Sequence, residues 1–156
     1  MWVEKEYFWD SKKKGKQKTN SELANDVQEF LEPYALKGIY MDPSAEAFHL
    51  ELRRRGMHVV HANNDVINGI THTASEMSKG NLFICEECTN TIRQIEGYVW
   101  DSKASLRGTD APVKIEDDAV DALRYAVYSH KVAIYNPYAH NPSDYLRNRY
   151  QPTRNF

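Results

Sequence analysis

The sequence has little of the features that would indicate a specialised architecture. Only two cysteines, Cys85 and Cys88, occur in 156 residues, which excludes a disulfide-stapled fold. No stretch approaches the ~18 consecutive apolar residues of a membrane span, and the N-terminus lacks the apolar segment of a secretion signal. No internal repeat with a period of about 20–50 residues is visible. We therefore predict one soluble, intracellular domain with a sizeable core.

An excess of one charge is also lacking, since 20 basic residues nearly balance 22 acidic ones and the net charge is −2. The totals alone therefore do not indicate a nucleic-acid partner. The charges are unevenly spread, with basic runs at 12–18 and 53–55 and an acidic stretch at 110–121. The segment "GKQKT" lacks the frame of a phosphate-binding P-loop, so ATP hydrolysis is not predicted.

What is present is an alternation of strand-like and helix-like segments, which predicts an α/β sheet with parallel pairing flanked by helices. The domain is predicted to span 1–132, with a loop at 11–20 and an extended or disordered tail at 133–156 that could also dock on a partner. The predicted strands are 3–10, 36–42, 57–62 and 81–87, and the predicted helices are 20–34, 43–56, 64–80, 89–102 and 116–133.

Four carboxylates crowd the start of the last predicted helix, in "KIEDDAVDALRYA" at 114–126. Acids in a first turn complement the helix dipole, which accounts for Glu116, Asp117 and Asp118. This interpretation accounts less well for Asp121, because aspartate is a poor residue inside a helix. Asp117 and Asp118 can share a helix face with Asp121, so a binding site is the second interpretation.

Asp42 is a candidate partner for these acids, because it ends the predicted strand "GIYMD". Sites assemble at the carboxyl ends of parallel strands, although Asp-Pro-Ser is also an ordinary turn and helix-entry sequence. If Asp42 and Asp121 converge, a cation between them would offset their repulsion. Oxygen ligands suit Mg²⁺ or Mn²⁺, and two such ions can drive phosphodiester cleavage.

Two further features have competing interpretations. The lysines around Gly15 are either a solvated surface loop or a contact for DNA phosphates; they are Lys12, Lys13, Lys14, Lys16 and Lys18. Cys85 and Cys88 have the spacing of a redox pair, but the glutamates between them disfavour a reactive thiolate. A zinc site at these cysteines would need two more ligands, so we expect them to be incidental. We expect His49, His58 and His61 to be surface or hydrogen-bonded core residues.

Most of residues 5–130 resembles the C-terminal nuclease domain of phage and prophage large terminases, the DNA-packaging subunits with a ribonuclease H-like fold. The resemblance covers "EYFWDSKKKGKQKTNSELANDVQEF", "YMDPSAEAF", "SKGNLFICEECTNTIRQIEGYVWDSKA" and "DDAVDALRYAVYSH". The last matches the family pattern Asp-His-x-x-Asp-Ala-x-Arg-Tyr at Asp121, Ala122, Arg124 and Tyr125, with Asp118 in place of the histidine. The family's first strand and its metal-binding aspartate precede "EYFWD", so we expect the mixed sheet to be incomplete at its N-terminal side.

The resemblance implies a Mg²⁺- or Mn²⁺-dependent two-metal nuclease that cuts concatemeric double-stranded DNA in the cytoplasm of a bacterial host. Asp42, Asp121 and Asp118 would be catalytic, and the same residues with Asp117 would bind metal. The implied partners are DNA, the ATPase remainder of the large subunit, the small subunit and the portal. The alternatives are an inactive terminase fragment that binds DNA or packaging proteins, and a CxxC redox protein.

Overall fold

Helices and short strands alternate along the chain, as the sequence pattern predicts. The computed structural model describes residues 1–32, 34–101, 106, 111–113 and 115–135, with the backbone alone for 131–135. The strands in this part are β1 (Trp2–Val3), β2 (Ile39–Met41), β3 (Val59–His61) and β4 (Phe83–Ile84). The helices are α1 (Ser11–Lys14), α2 (Asn20–Leu31), α3 (Glu46–Arg54), α4 (Val66–Ser78), α5 (Thr89–Glu96) and α6 (Asp118–Tyr135).

The strands form two separate parallel pairs. In one pair Ile39 lies opposite Val59 and Met41 opposite His61, which brings the ends of β2 and β3 to the same edge. In the other pair β1 lies beside β4. Within the described residues no strand connects the two pairs, and the antiparallel contact there is an isolated bridge between Trp100 and Pro112. The predicted α/β class with parallel pairing is confirmed.

Two small hydrophobic clusters hold the elements together. Ala24, Leu52 and Val59 join α2 and α3 to the β2–β3 pair, and Leu82, Leu123 and Val127 join α6 to the segment before β4. Each leucine or valine side chain buried in such a cluster contributes on the order of 1.5–3 kcal/mol. In the described part of the chain, no helix has the length and hydropathy to span a bilayer.

An open apolar cleft of about 830 Å³ lies between the N-terminal segment, α2 and α6. Its lining includes Val3, Phe8, Leu23, Phe30, Leu123 and Val127. Apolar surface that remains open to water keeps its hydration cost, so the apolar side chains of this cleft are incompletely buried. Asp118 lies on its wall.

The N-terminal segment differs from the predictions of a strand at 3–10 and a loop at 11–20. The strand stops at Val3, and beyond it Glu6 accepts hydrogen bonds from the backbone N–H groups of Asn90 and Thr91 at 2.8 and 2.9 Å. These bonds cap α5, so the side chains of this segment are used for capping rather than for a strand ladder. Part of the predicted loop is the helix α1, because Asp10 accepts from the Lys13 N–H at 2.9 Å.

The helix ends also differ in detail from the predictions. α2 begins at Asn20 as predicted, after Thr19, which caps it in a reciprocal capping box with Glu22, but it ends at Leu31 rather than at 34. α3 is followed by Gly56 at φ +81°, which is the left-handed position expected for a glycine just after a helix. α5 is shorter than predicted and ends at Glu96.

The start of the last helix is the largest correction among the helices. Glu116 lies before α6 with φ +49° and forms an ion pair with Arg93, so it is not a first-turn acid. The N-terminus of α6 is capped instead by the side chain of Gln94, whose Oε1 accepts a hydrogen bond from the Ala119 N–H at 2.7 Å. α6 runs to Tyr135, past the predicted boundary at 132. The rest of the predicted tail, 136–156, lies outside the described residues.

Candidate functional site

Asp42, which directly follows β2, and the last helix meet through one hydrogen bond. The Tyr125 hydroxyl on α6 donates to Asp42 Oδ2 at 2.7 Å. Asp42 Oδ1 accepts from the Ser44 N–H at 2.8 Å, so both carboxylate oxygens are held in place. The edge of the β2–β3 pair is therefore in direct contact with α6, and a shared metal site of Asp42 and Asp121 stays a prediction.

Asp121 lies one helical turn before Tyr125 and is held by a buried arginine. Arg124 is 2% exposed, and its Nη2 and Nε donate to Asp121 Oδ1 at 2.8 and 3.2 Å. Its Nη1 also donates to the Asp65 carbonyl at 3.1 Å. The arginine passes so close to α4 that a Cβ on Gly69 would lie 2.9 Å from its methylene carbons. The glycine is needed here for close approach of α4 to α6.

The electrostatics of this group favour an ionised Asp42. Its pKa is lowered chiefly by the Ser44 backbone hydrogen bond, with the Tyr125 hydroxyl and the positive charge of Arg124 adding to the effect against the opposing effect of burial. Burial, followed by the hydrogen bond to Asp42 and the nearby Asp121 charge, raises the pKa of Tyr125 to about 12. The pair thus remains a neutral phenol beside an anionic carboxylate across the neutral pH range.

A Tyr125→Phe substitution tests this pair. We expect a loss of about 1.5–3 kcal/mol of unfolding free energy at neutral pH, because the hydrogen bond is made to a charged group. The lowered pKa of Asp42 stabilises the fold above the carboxyl's unfolded pKa, and that contribution is lost as the pH falls through the folded pKa. The raised pKa of Tyr125 stabilises the fold below the phenol's unfolded pKa, and that contribution is lost as the pH rises towards about 12.

Denaturant unfolding of the wild type and Tyr125→Phe at several pH values measures both effects. The difference in unfolding free energy between the two proteins should be largest at neutral pH. It should shrink at acidic pH, where Asp42 becomes protonated, and also as the pH rises towards about 12, where Tyr125 ionises. Tyr40→Phe is a suitable control, because burial alone raises the pKa of that phenol. A gap that does not vary with pH would contradict the coupling between Tyr125 and Asp42.

The other two predicted metal ligands, Asp117 and Asp118, lie at the start of α6. Asp118 is exposed on the cleft wall, and Asp117 is half-buried, with its carbonyl accepting from the Asp121 N–H at 2.8 Å. Among the described residues, no three of these aspartates bring ligand atoms within 4.8 Å of one another. The donor chemistry fits a hard divalent cation, since carboxylate oxygens are the ligands that Mg²⁺ and Mn²⁺ prefer.

The five lysines predicted to contact DNA divide into two groups. Lys12, Lys13 and Lys14 are exposed on α1, where Lys13 Nζ lies 3.7 Å from Asp10 Oδ2 in a long ion pair. Lys16 and Lys18 instead form ion pairs with Glu22 and Asp26 of α2, and the Lys18 ammonium also lies 4.0 Å from the centre of the Trp9 ring. The lysines of α1 are therefore the more accessible group for a phosphate, since the Lys13 side chain is 77% exposed and that of Lys18 is 16% exposed.

The cysteines have the character expected of incidental residues. Both are free thiols, and Cys88 is buried, with its Sγ 3.6 Å from the Val3 carbonyl oxygen. Burial, together with the charge of Glu6, raises the pKa of Cys88, which opposes a reactive thiolate. Neither cysteine belongs to a three-ligand cluster in the described part of the chain.

Two positions gain roles that the residue pattern did not assign. Arg124 and Tyr125 were expected only as family matches, but the structure makes one the holder of Asp121 and the other the link to Asp42. A signal was available for Arg124, because it lies on the same helix face as the buried Val120, Leu123 and Val127. An arginine on an apolar stripe indicates a buried ion pair.

Residues 4–130 match the family model described as "Terminase RNaseH-like domain". The large terminase subunit of Escherichia phage T5 is 23% identical over 117 residues, which cover 72% of this chain and 27% of that protein. The large terminase of the thermophilic bacteriophage D6E, in one crystal form, superposes with a TM-score of 0.77 at 40% identity and covers 79% of this chain. A second crystal form gives a TM-score of 0.75 at 41% identity.

The chain spans only about a third or less of these relatives, 27% of the T5 protein and 32% of the D6E chain. The shared region contains Asp42, the β2–β3 pair and most of α6, with Asp121, Arg124 and Tyr125. The sequence pattern, the fold and the comparisons therefore agree, and the chain belongs to the terminase RNaseH-like domain family.

Proposed function

We propose that this domain is the metal-dependent endonuclease part of a viral DNA-packaging terminase, and that it cuts concatemeric double-stranded DNA. The observation that carries the proposal is the hydrogen bond from Tyr125 to Asp42, which joins the carboxyl edge of β2 to the helix that bears Asp121. In this proposal the two carboxylates lie together at this edge, where sites assemble in parallel sheets, and they supply the oxygen ligands that Mg²⁺ and Mn²⁺ prefer.

In this proposal Asp42 and Asp121 are the principal metal ligands. The hydrogen bonds of Asp42 to Ser44 and Tyr125 keep it ionised and oriented. Arg124 directs its two donors to Asp121 Oδ1, which fixes the orientation of that carboxylate. Asp118 and Asp117 lie before them on the same chain segment and supply further oxygen atoms. Bound Mg²⁺ or Mn²⁺ would activate water and stabilise the leaving oxygen of the phosphodiester.

The exposed lysines of α1 are the proposed DNA contact. Lys12, Lys13 and Lys14 follow one another on a single helical turn, so their charges spread around it rather than forming one stripe. Such contacts bind phosphate without reading sequence and weaken as salt rises. The further partners we propose are the ATPase remainder of the large subunit, the small subunit and the portal, in the cytoplasm of an infected bacterium.

A plasmid-nicking assay with Mn²⁺ tests the nuclease proposal. Wild-type protein should nick supercoiled plasmid with Mn²⁺ and not in a chelator, and Asp121→Asn should lose most of this activity. Asparagine is preferred to alanine at this position, because its amide oxygen still accepts from Arg124 and the buried guanidinium keeps a partner. Glu29→Gln, an exposed acid on α2, is the matched control and should cleave like the wild type.

A second candidate function is a catalytically silent module that binds DNA or packaging proteins. Two observations favour it: no three of the four predicted aspartates come within 4.8 Å in the described structure, and Asp121 is engaged by Arg124. Absence of Mn²⁺-dependent nicking by folded wild-type protein, together with salt-sensitive DNA binding, would support this candidate over the nuclease. Cleavage that persists unchanged in Asp121→Asn would overturn the assignment of that ligand.

A further inference from the structure

A second cluster of metal-ligating side chains lies beside Asp42 and consists of Glu46, His49 and His61. Each offers one ligand atom, and the three atoms lie within 4.8 Å of one another. Glu46 and His49 are three residues apart on the first turn of α3, so both lie on one helix face. His61 ends β3, opposite Met41 at the end of β2. The cluster therefore occupies the carboxyl edge of this parallel pair, where sites assemble.

The ring of His49 is already held as a metal-binding histidine would be. It is 0% exposed, and its Nε2 lies 3.0 Å from the Asp42 carbonyl oxygen. A carbonyl oxygen only accepts, so Nε2 must carry the hydrogen, and in the neutral ring Nδ1 then carries a lone pair. Metal-binding histidines commonly donate their other N–H to a backbone carbonyl in this way.

The Nδ1 atoms of the two histidines indicate that the cluster binds a ligand. Nδ1 of His49 and Nδ1 of His61 are both buried, and neither has a hydrogen-bond partner in the described part of the protein. Buried polar atoms are normally satisfied, so two such atoms in adjacent rings need a reason. His49 is the buried, hydrogen-bonded residue that the sequence predicted, and His58 is exposed, but the prediction did not include the two unpartnered Nδ1 atoms.

We propose that Glu46, His49 and His61 form a zinc-binding site, with a water molecule as the fourth ligand. Two imidazoles and one carboxylate are a ligand set that zinc uses in proteins with an open position. Nitrogen donors favour zinc over Mg²⁺, so this site differs in chemistry from the carboxylates Asp42 and Asp121. The proposal does not depend on nuclease activity.

Zinc loading requires a small movement of the exposed ligands. The rings of His49 and His61 are stacked, with centroids 4.3 Å apart, whereas a metal ion lies in the plane of each imidazole that binds it. His61 Nε2 is 3.9 Å from Glu46 Oε2, and these side chains are 27% and 68% exposed. They can therefore turn towards His49, whose ring the Asp42 carbonyl holds in place.

Isothermal titration of the untagged full chain with ZnCl₂ tests the site. We expect one saturable equivalent in the wild type and a loss of at least ~10-fold in affinity for Glu46→Gln and for His61→Gln. His130→Gln, which removes an exposed histidine of α6, and Asp121→Asn should bind like the wild type. Excess Mg²⁺ should not displace the zinc. Glu46 is exposed enough that its substitution should leave the circular dichroism spectrum unchanged.

Cobalt substitution identifies the ligands independently. Co²⁺ at this site should give visible bands typical of four-coordinate cobalt, without the near-ultraviolet charge-transfer absorption of a cobalt–thiolate bond. Charge-transfer absorption would assign the metal to Cys85 or Cys88 and overturn the proposal. The absence of saturable zinc binding by the folded wild type would also overturn it, as would equal affinities for the wild type, Glu46→Gln and His61→Gln.

Discussion

An Asp42→Asn variant should lose at least ~100-fold of the Mn²⁺-dependent cleavage rate while keeping its fold. The substitution removes the charge that would hold the cation and keeps the shape of the side chain. Loss of groups that only orient a metal ligand already costs 10–100-fold in many sites, so removal of a ligand's charge should cost at least as much. The measurement is the initial rate of plasmid nicking at saturating Mn²⁺.

The fold should survive because the bonds that position this residue can largely be remade. The amide oxygen of an asparagine can accept from the Ser44 N–H, and its amide group can donate to the Tyr125 hydroxyl oxygen. Asp42→Glu is an informative companion, since it keeps the charge but moves the carboxylate by one methylene. If Asp42→Asn cleaves at the wild-type rate, the residue is a structural turn former and not a metal ligand.

Replacement of Arg124 by methionine should give the largest loss of stability, about 3 kcal/mol of unfolding free energy. Breaking a buried ion pair costs on the order of 3–5 kcal/mol, and we take the lower end because Asp121 keeps a side-chain exposure of 17%. The substitution also leaves the Asp65 carbonyl without its Nη1 donor. Urea unfolding with linear extrapolation measures the difference.

A double-mutant cycle separates the charge effect from packing. Asp121→Asn combined with Arg124→Met should lose less stability than the sum of the two single variants, because the charged partner is gone as well. Arg54→Met, an exposed change at the end of α3, should stay within about 0.5 kcal/mol of the wild type. Strict additivity of the two single changes would show that Arg124 acts only as a space-filling side chain.

The order of elements could be predicted from the sequence because each strand and helix carries its own periodicity and end signals. The alternation that predicts parallel pairing is an example, and the β2–β3 and β1–β4 pairs agree with it. The prediction of a strand over 3–10 was wrong beyond Val3, because the pairing of this segment with β4 includes only Trp2 and Val3. In this structure the side chain of Glu6 reaches 84 residues along the chain to Asn90 and caps α5.

The candidate site was predictable in its elements but not in its contacts. Asp42 at a strand end and Asp121 on the last helix were identified from local pattern, and the structure joins their elements through Tyr125. The side chain that contacts Asp42 is determined by the orientation of α6 about its own axis and by its position over β2. The local sequence does not specify these closely enough to identify Tyr125. The same holds for His49 and His61, which are adjacent only because β3 lies beside β2.

The most direct test of the central claim is the location of manganese in a crystal of this chain grown with Mn²⁺ and a short DNA duplex. Anomalous scattering places the metal without reference to activity. The account predicts a manganese peak bound by the carboxylates of Asp42 and Asp121. A peak elsewhere, with the Tyr125–Asp42 and Arg124–Asp121 contacts intact and no manganese between them, would contradict it.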